Sequence, residues 1–282
     1  MVSPSVFRTL RATALAALLL PAVAAASGGM RLQPAPIDSH DVASLQNGAK
    51  LFVNYCLNCH SAGYMRYNRL QDLGLTEQQI RDNLIFTGVK VGELMQVAMD
   101  KKDAKEWFGA PPPDLTVITR SRSSGAGSGA DWVYNYLRGF YRDDSRPTGW
   151  NNLVFENVGM PHVLWQLSGQ NTLDKKVFER HEEATAALIA AKTLSRLDAV
   201  ASGDKDGKVS TRYELRSIVA GSGTISSGEY DRQVVDLVNY MDYMGEPARL
   251  TRRQIGIYAL FGLGLLFIFA FALKKAYWKD VH

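Results

Sequence analysis

The stretch Asn54-Tyr55-Cys56-Leu57-Asn58-Cys59-His60 holds both cysteines of a 282-residue chain, with two residues between them and a histidine directly after the second. Three chemistries use this spacing: a disulfide, half of a zinc site, or covalent attachment of a haem. A disulfide across a two-residue gap closes so small a loop that it constrains the unfolded chain very little. A thioredoxin-like pair would stand at a strand-to-helix junction in a βαβ unit, and no strand pattern precedes Cys56. Zinc wants four ligands, usually as two pairs. No second cysteine pair exists, and His40, His162, His181 and His282 are scattered without ligand spacing. Haem attachment fits each feature. Two thiols that add to the two vinyl groups of a porphyrin must straddle one edge of the ring. On a helical turn the next residue then points its imidazole at the iron. Cys56 and Cys59 are the expected thioethers and His60 the expected proximal ligand.

A helix has to carry this motif. An amphipathic pattern starts at Asp41-Val42-Ala43-Ser44-Leu45, and Leu45, Ala49, Phe52 and Cys56 recur at helical spacing. Gly48 and Phe52 stand eight and four residues before the first cysteine. This resembles the first helix of class I c-type cytochromes, where a small residue lets it pack closely against the last helix. Near the other end, Val234, Val238 and Met241 form a helical stripe.

Haem iron with one histidine is either open, for gases, or capped, for electron transfer. Of the eight methionines, Met1 and Met30 lie at the start of the chain. Met95 and Met99 read as one face of a helix, and Met241 and Met244 belong to the stripe above; both pairs suit a core. Met65 follows the haem motif too closely to reach the opposite face. Met160 stands in Asn157-Val158-Gly159-Met160-Pro161, which has neither helical nor strand period. Gly159 permits unusual backbone angles and Pro161 fixes its own φ. A rigid loop of this kind can hold a thioether over a haem, with His162 as the nearby rival. An axial methionine raises the potential, as an electron carrier late in a chain requires.

The two ends read as targeting and anchor. Residues 1–26 carry Arg8 and Arg11, no acid, an Ala/Leu run and small-x-small sites ending at Ala24 and Ala26, the layout of a secretory signal peptide. Residues 255–273 form a 19-residue run without a charge, preceded by Arg249, Arg252 and Arg253 and followed by Lys274, Lys275 and Lys279, with Tyr277 and Trp278 at interface depth. Such a run spans a bilayer's hydrocarbon core. An exported body leaves residues 274–282 in the cytoplasm, which places the protein in a bacterial inner membrane with the body in the periplasm. The overall charge is +4, yet residues 27–246 carry a net −3, because the basic surplus sits in the two end segments. No basic stripe points to nucleic acid.

Taken together these segments resemble the cytochrome c1 family, the haem subunit of the cytochrome bc1 complex. The resemblance runs through Cys56–Leu70, CLNCHSAGYMRYNRL; through GAPPPDLTVITRSR at 109–122; through DWVYNYLRGFY at 131–141; through the methionine loop; and through VVDLVNYMDYMGEPAR at 234–249, leading into the anchor. It implies one covalent haem c held by Cys56, Cys59, His60 and Met160. It also implies that Pro112 and Pro113 wall the haem edge, and that Arg122, or else Arg120, pairs with a propionate. It implies electron transfer from the Rieske iron–sulfur protein to a c-type cytochrome, beside cytochrome b, with no catalytic acid, base or nucleophile. Two departures stand out. The loop reads GMPHVLW where mitochondrial relatives place further small and proline residues, and residues 168–228 look longer than the mitochondrial segment.

The expected fold is mainly α: a class I cytochrome c-like haem domain over 27–250 with long inserted loops, then one C-terminal transmembrane helix. The first helix, about 41–60, should cross the last, about 229–245. Thr172 to Ala201 reads as a charged helix with an Ala-rich centre. Gly203–Lys208 resembles a calcium loop, but with Gly207 at position 6, position 12 falls on Tyr213, so a polar turn is expected. Ser121–Ala130 reads as a flexible Gly/Ser loop. Two other settings share the motif: a free-standing membrane-anchored cytochrome c, and an open-site haem enzyme or gas sensor.

Overall fold

Asp41 starts the first helix by accepting the N–H of Ser44 on its carboxylate at 3.0 Å, the usual N-cap exchange. The computed structural model describes residue 30 and residues 32–97, 99–203 and 209–279. The expected signal peptide, the polar turn at 204–208 and residues 280–282 lie outside them.

The haem-motif half contains α1 (Val42–Leu51), β1 (Ala62–Arg66), α2 (Glu77–Leu84), β2 (Leu94–Met95), α3 (Lys101–Phe108), α4 (Ile118–Ser121) and α5 (Gly129–Arg138). Then come β3 (Phe140–Arg142), β4 (Trp150–Asn152), α6 (Trp165–Ser168), β5 (Thr172–Phe178), α7 (His181–Ala190), β6 (Ser195–Gly203) and β7 (Val209–Val219). Helices α8 (Ser227–Gly245) and α9 (Arg249–Tyr277) close the chain.

The crossing of α1 and α8 organises the core. A Cβ on Gly48 would lie 2.0 Å from the Asp236 carbonyl oxygen and 2.7 Å from the Tyr240 Cβ, so only glycine allows this approach. One turn on, the Phe52 and Tyr240 rings meet at 5.6 Å. Val234, Val238 and Met241 are all buried on the facing side of α8, as their spacing predicts. Polar contacts fix the register: Asn47 donates to Asp236 and Gln233, and Asn239 donates to Ser44 and to the Asp38 carbonyl.

Several expectations are corrected. The mainly α description is too simple: helices account for roughly 47% of the described residues, and among those residues three small antiparallel sheets join them, β1-β2, β3-β4 and β5-β7-β6. Thr172–Ala201 is not one helix. Only its Ala-rich centre is helical, as α7, while β5 and β6 flank it and pair with β7 on either side. Met95 and Met99 share no helix face. Met95 is in β2, fully buried, and takes a contact from the Tyr240 hydroxyl at 3.6 Å. The Gly/Ser loop ends earlier than expected, because Ser128 and Asp131 form a capping box that starts α5 at Gly129.

The chain leaves this core and returns at one place. A Cβ on Gly169 would meet the Ser222 carbonyl carbon at 2.5 Å, and the Thr224 N–H bonds the Gln166 carbonyl at 2.8 Å. Residues 172–219 are therefore an excursion with a closed base. At the C-terminus, α9 is 29 residues long, about 43 Å at the helical rise. None of its apolar span is buried against the rest of the chain. Such a helix suits a membrane anchor, since water would not tolerate its exposed face.

Candidate haem-binding site

The cysteine motif begins where α1 changes pitch. Phe52–Cys56 is a single π-helical turn, in which the Leu57 N–H reaches back to the Phe52 carbonyl at 3.0 Å. The wider turn re-aims the residues after it. Cys59 and His60 then both bond through their N–H groups to the Cys56 carbonyl, so the five residues of the motif form one helical turn. Both cysteines are free. Cys56 is buried, and burial, with Cys59 adding to it, pushes its thiol up to about 12. Cys59 is half-buried and its thiol is also raised by burial. Both are neutral thiols and neither is in a disulfide.

His60 is buried, and its Nδ1 lies 2.7 Å from the Pro113 carbonyl oxygen. A carbonyl can only accept, so Nδ1 carries the proton and Nε2 is left with a lone pair. That is the tautomer a metal-ligating histidine needs, held by the kind of outer contact such ligands require. Burial lowers the pKa of the ring, against a smaller opposing effect of the Pro113 bond and of Asp114. The ring is therefore neutral.

Asp114 stitches the proline segment to the motif. Its Oδ2 accepts the Gly63 N–H at 2.7 Å, while its Oδ1 accepts the Thr116 N–H and hydroxyl at 2.8 and 2.6 Å. Leu115 donates to the Ser61 carbonyl at 2.9 Å. Pro112 is half-buried in this segment. The contact made by Pro113 is a backbone one, which the expectation of two walling prolines did not contain.

Met160 is half-buried and lies against the cluster of Phe140, Trp150 and Val158. The Tyr136 hydroxyl donates to its Sδ at 3.4 Å. Tyr136 also packs against the main core that holds Cys56, so one side chain touches both regions. The loop is held locally. Asn157 sits at φ +59°, and its side-chain and main-chain oxygens accept the two arms of Arg146 at 3.1 and 3.0 Å. Its N–H bonds Asn151 Oδ1. Asn152, fully buried, donates to the Tyr136 carbonyl and accepts from Val154 and Phe155. Gly159 approaches the carbonyl of Phe108, just ahead of the prolines, at 3.2 Å from where a Cβ would be.

His162 is held as a core side chain. It is buried, its Nε2 is engaged by Ser168 Oγ at 2.8 Å, and its ring stacks on Phe140 at 4.8 Å. Burial lowers its pKa to about 3.

The two candidate arginines separate. Arg120 pairs with Glu246 at 2.6 Å. Arg122 lies over the Trp132 ring at 4.7 Å. Trp132 stacks on Tyr136 at 4.8 Å, and Tyr136 contacts Met160. Burial raises the Tyr136 phenol, and Arg122 acts the other way.

Sequence reasoning missed Tyr136, Asp114, Asn151, Asn152 and Arg146. Two of these had a signal. Trp132, Tyr136 and Phe140 recur every four residues, and Asp114-Leu115-Thr116 is an Asx-turn pattern directly after the prolines. The donor set is two neutral thiols, an imidazole with Nε2 free and a thioether in a pinned loop. It fits a covalently held, His/Met-liganded haem. Among the described residues, no three His, Cys, Asp or Glu side chains converge as a metal site of their own.

Comparison with known proteins gives the same direction. Residues 33–176 match the model of the Cytochrome C1 family. The chain is 46% identical to "Cytochrome c1" of Allochromatium vinosum, covering 94% of this chain and 96% of that protein. It is 45% identical to a Nitrosomonas europaea protein named "Ammonia monooxygenase gamma subunit", over 98% of this chain and all of that one. It is 22% identical to "Cytochrome b/c1" of Bradyrhizobium diazoefficiens, over 88% of this chain and 34% of that longer protein.

Proposed function

The chain belongs to the cytochrome c1 family, whose members carry one covalent haem c, and from that premise we propose the role of each residue in a bc1-type electron-transfer subunit. The observation that carries the reading is the His60 Nδ1–Pro113 contact. It presents Nε2, one residue after the second cysteine, as the only free ring nitrogen.

The haem, when bound, supplies a one-electron couple at its iron. Cys56 and Cys59 would hold the haem through thioethers, and His60 Nε2 would ligate its iron. Met160 Sδ would supply a second ligand, with the Tyr136 hydroxyl donating to the sulfur. Arg122 is placed to answer a propionate, because Trp132 orients it and no carboxylate among the described residues pairs with it. Arg120 is committed to Glu246. Buried apolar residues around Cys56 would exclude water from a bound haem. In this reading the chain positions a redox group and passes single electrons.

In this reading the donor is a Rieske iron–sulfur protein, the acceptor a c-type cytochrome, and cytochrome b a neighbour in the membrane. The relative named "Cytochrome b/c1" supports the last point, since its name joins both in one polypeptide. The body lies in the periplasm of a bacterial inner membrane, with α9 spanning it and residues 274–282 in the cytoplasm. Residues 168–228 are an insertion, in keeping with their closed base.

A second reading follows from the relative named as an ammonia monooxygenase subunit: the same electron carrier serving another membrane oxidoreductase. Haem staining of the membrane-purified chain after denaturation tests the site itself. Wild type should keep its haem, and the paired Cys56→Ser and Cys59→Ser variant should lose it. Retention by that variant would refute the attachment. Co-purification of a b-type haem separates the two settings.

A further inference from the structure

The methionine loop is pinned locally by Arg146 and Asn151, but a second set of contacts comes from outside it. The excursion formed by β5, α7, β6 and β7 turns one face back onto Leu153–Glu156. Leu153 is fully buried against Tyr141, Leu194 and Ile218, the last two belonging to the excursion.

Charge decides what that face can be. In the β6–β7 register Arg196 stands directly opposite Arg216. Like charges opposed on a sheet repel. Asp198 answers part of this, accepting from Arg196 Nε at 2.9 Å and from Arg216 at 2.5 Å. One carboxylate between two guanidiniums leaves a positive charge, on side chains that are only 24% and 15% exposed. Glu214 lies 3.8 Å from Arg216 but also 3.9 Å from Lys175, whose charge it shares. The missing carboxylate is Glu156, which bonds Arg216 and lies 3.7 Å from Arg196. Arg196 also reaches the Leu153 carbonyl at 3.4 Å. Glu156 belongs to the methionine loop and not to the excursion. The sheet therefore completes its own neutrality only by holding the loop, four residues before Met160.

We propose that the excursion 172–219 is a clamp on the methionine loop, and that Glu156 and Arg216 are positioning residues for Met160. The inference rests on the reading of Met160 as the distal ligand. A loop with no regular ladder and a left-handed residue at Asn157 needs outside anchors to hold a thioether in place. The excursion supplies them at Leu153 and Glu156, upstream of the pins at Asn157.

The test uses the full-length, haem-loaded protein in mild detergent, reduced, with carbon monoxide as the probe of an open iron. Met160→Ala should react fully. Glu156→Gln, which keeps the shape of the side chain, should raise the reactive fraction about fivefold over wild type, as expected for a partly exposed ion pair. Arg216→Gln should do the same. Arg216→Lys, which keeps the cation, should stay closer to wild type than Arg216→Gln. Arg212→Gln removes an ion pair with Glu179 in the same sheet but away from the loop, and should change nothing. A reactive Met160→Ala beside wild-type behaviour in Glu156→Gln would overturn the clamp. So would equal effects of Arg212→Gln and Glu156→Gln. An unreactive Met160→Ala would remove the ligand assignment, and the clamp with it. If Arg216→Gln fails to fold, Glu156→Gln decides alone.

Discussion

The imidazole Nδ1 of His60 lies 2.7 Å from the carbonyl oxygen of Pro113, 53 residues further along the chain. Asp114 holds that carbonyl in place by reaching over to Gly63, three residues past the histidine. The orientation of the His60 ring is therefore set by a segment far from it in sequence.

Asp114→Ala should leave the Gly63 and Thr116 donors without their partner. We expect a loss of about 0.5–1.5 kcal/mol in stability, read as a lower thermal midpoint. Asp114→Asn, which keeps one acceptor, should fall between. An unchanged midpoint for the alanine variant would show that the proline segment is held by other means.

Gly48→Ala should be among the most damaging single changes in the chain. The added Cβ would meet backbone, which cannot step aside. The cost should be at least ~3 kcal/mol, the upper end of overpacking effects, and haem-loaded protein should be scarce. Gly262→Ala, in α9 with nothing within 4 Å, should leave haem loading unchanged.

Tyr136→Phe removes the hydroxyl that donates to Met160. That hydrogen bond draws density from the sulfur and so favours the reduced iron. Its loss should lower the midpoint potential by up to about 40 mV, the one-electron equivalent of ~1 kcal/mol. A higher potential in the variant would contradict the placement of the phenol on the distal ligand.

Arg122→Gln should also lower the potential, by on the order of tens of millivolts, because a nearby cation favours the less positive iron. Arg120→Gln should leave the potential alone and act on the junction with α9, where Glu246 also pairs with Arg252. Equal shifts from both variants would show that neither arginine is specific to the haem.

Acid should loosen the N-terminal arm. Burial pushes the Asp131 carboxyl up, but the Ala35 N–H and the Ser128 hydroxyl and N–H outweigh it, so the group is held below its ordinary value. A carboxyl lowered on folding stabilises the folded state above its unfolded pKa of about 3.9. That contribution fades as pH falls through the folded value. Asp131→Asn should therefore flatten the fall of stability below about pH 4, measured by thermal unfolding across pH. An identical acid slope in the variant would contradict this.

The candidate site was easier to read from the sequence than the scaffold around it. Cys56, Cys59 and His60 stand out by spacing, and Gly48 by its place on the helix before them. Met160 stands out as a candidate because its neighbours have no period. The apolar helix at the C-terminus was legible from length and charge alone. What stayed hidden depended on distant pairing. Thr172–Phe178 and Ser195–Gly203 are strands because both lie against Val209–Val219, and nothing local shows that partner. The polar, charged composition there suits an exposed helix as well as an exposed strand. Met95 and Met99 sit at helical spacing by coincidence, and Met95 goes to the core from a two-residue strand. The Pro113 carbonyl and the π turn at Phe52–Cys56 are backbone features that no residue type encodes.

The most direct measurement is a reduced-minus-oxidised visible spectrum of the tagged chain, purified from membranes in mild detergent. Bands of c- and b-type haem together are the expected result, placing the cysteine motif at the electron exit of a bc1-type complex. A c-type band alone, repeated in milder detergents, would contradict that setting and leave a free-standing carrier. No haem band at all would contradict the site.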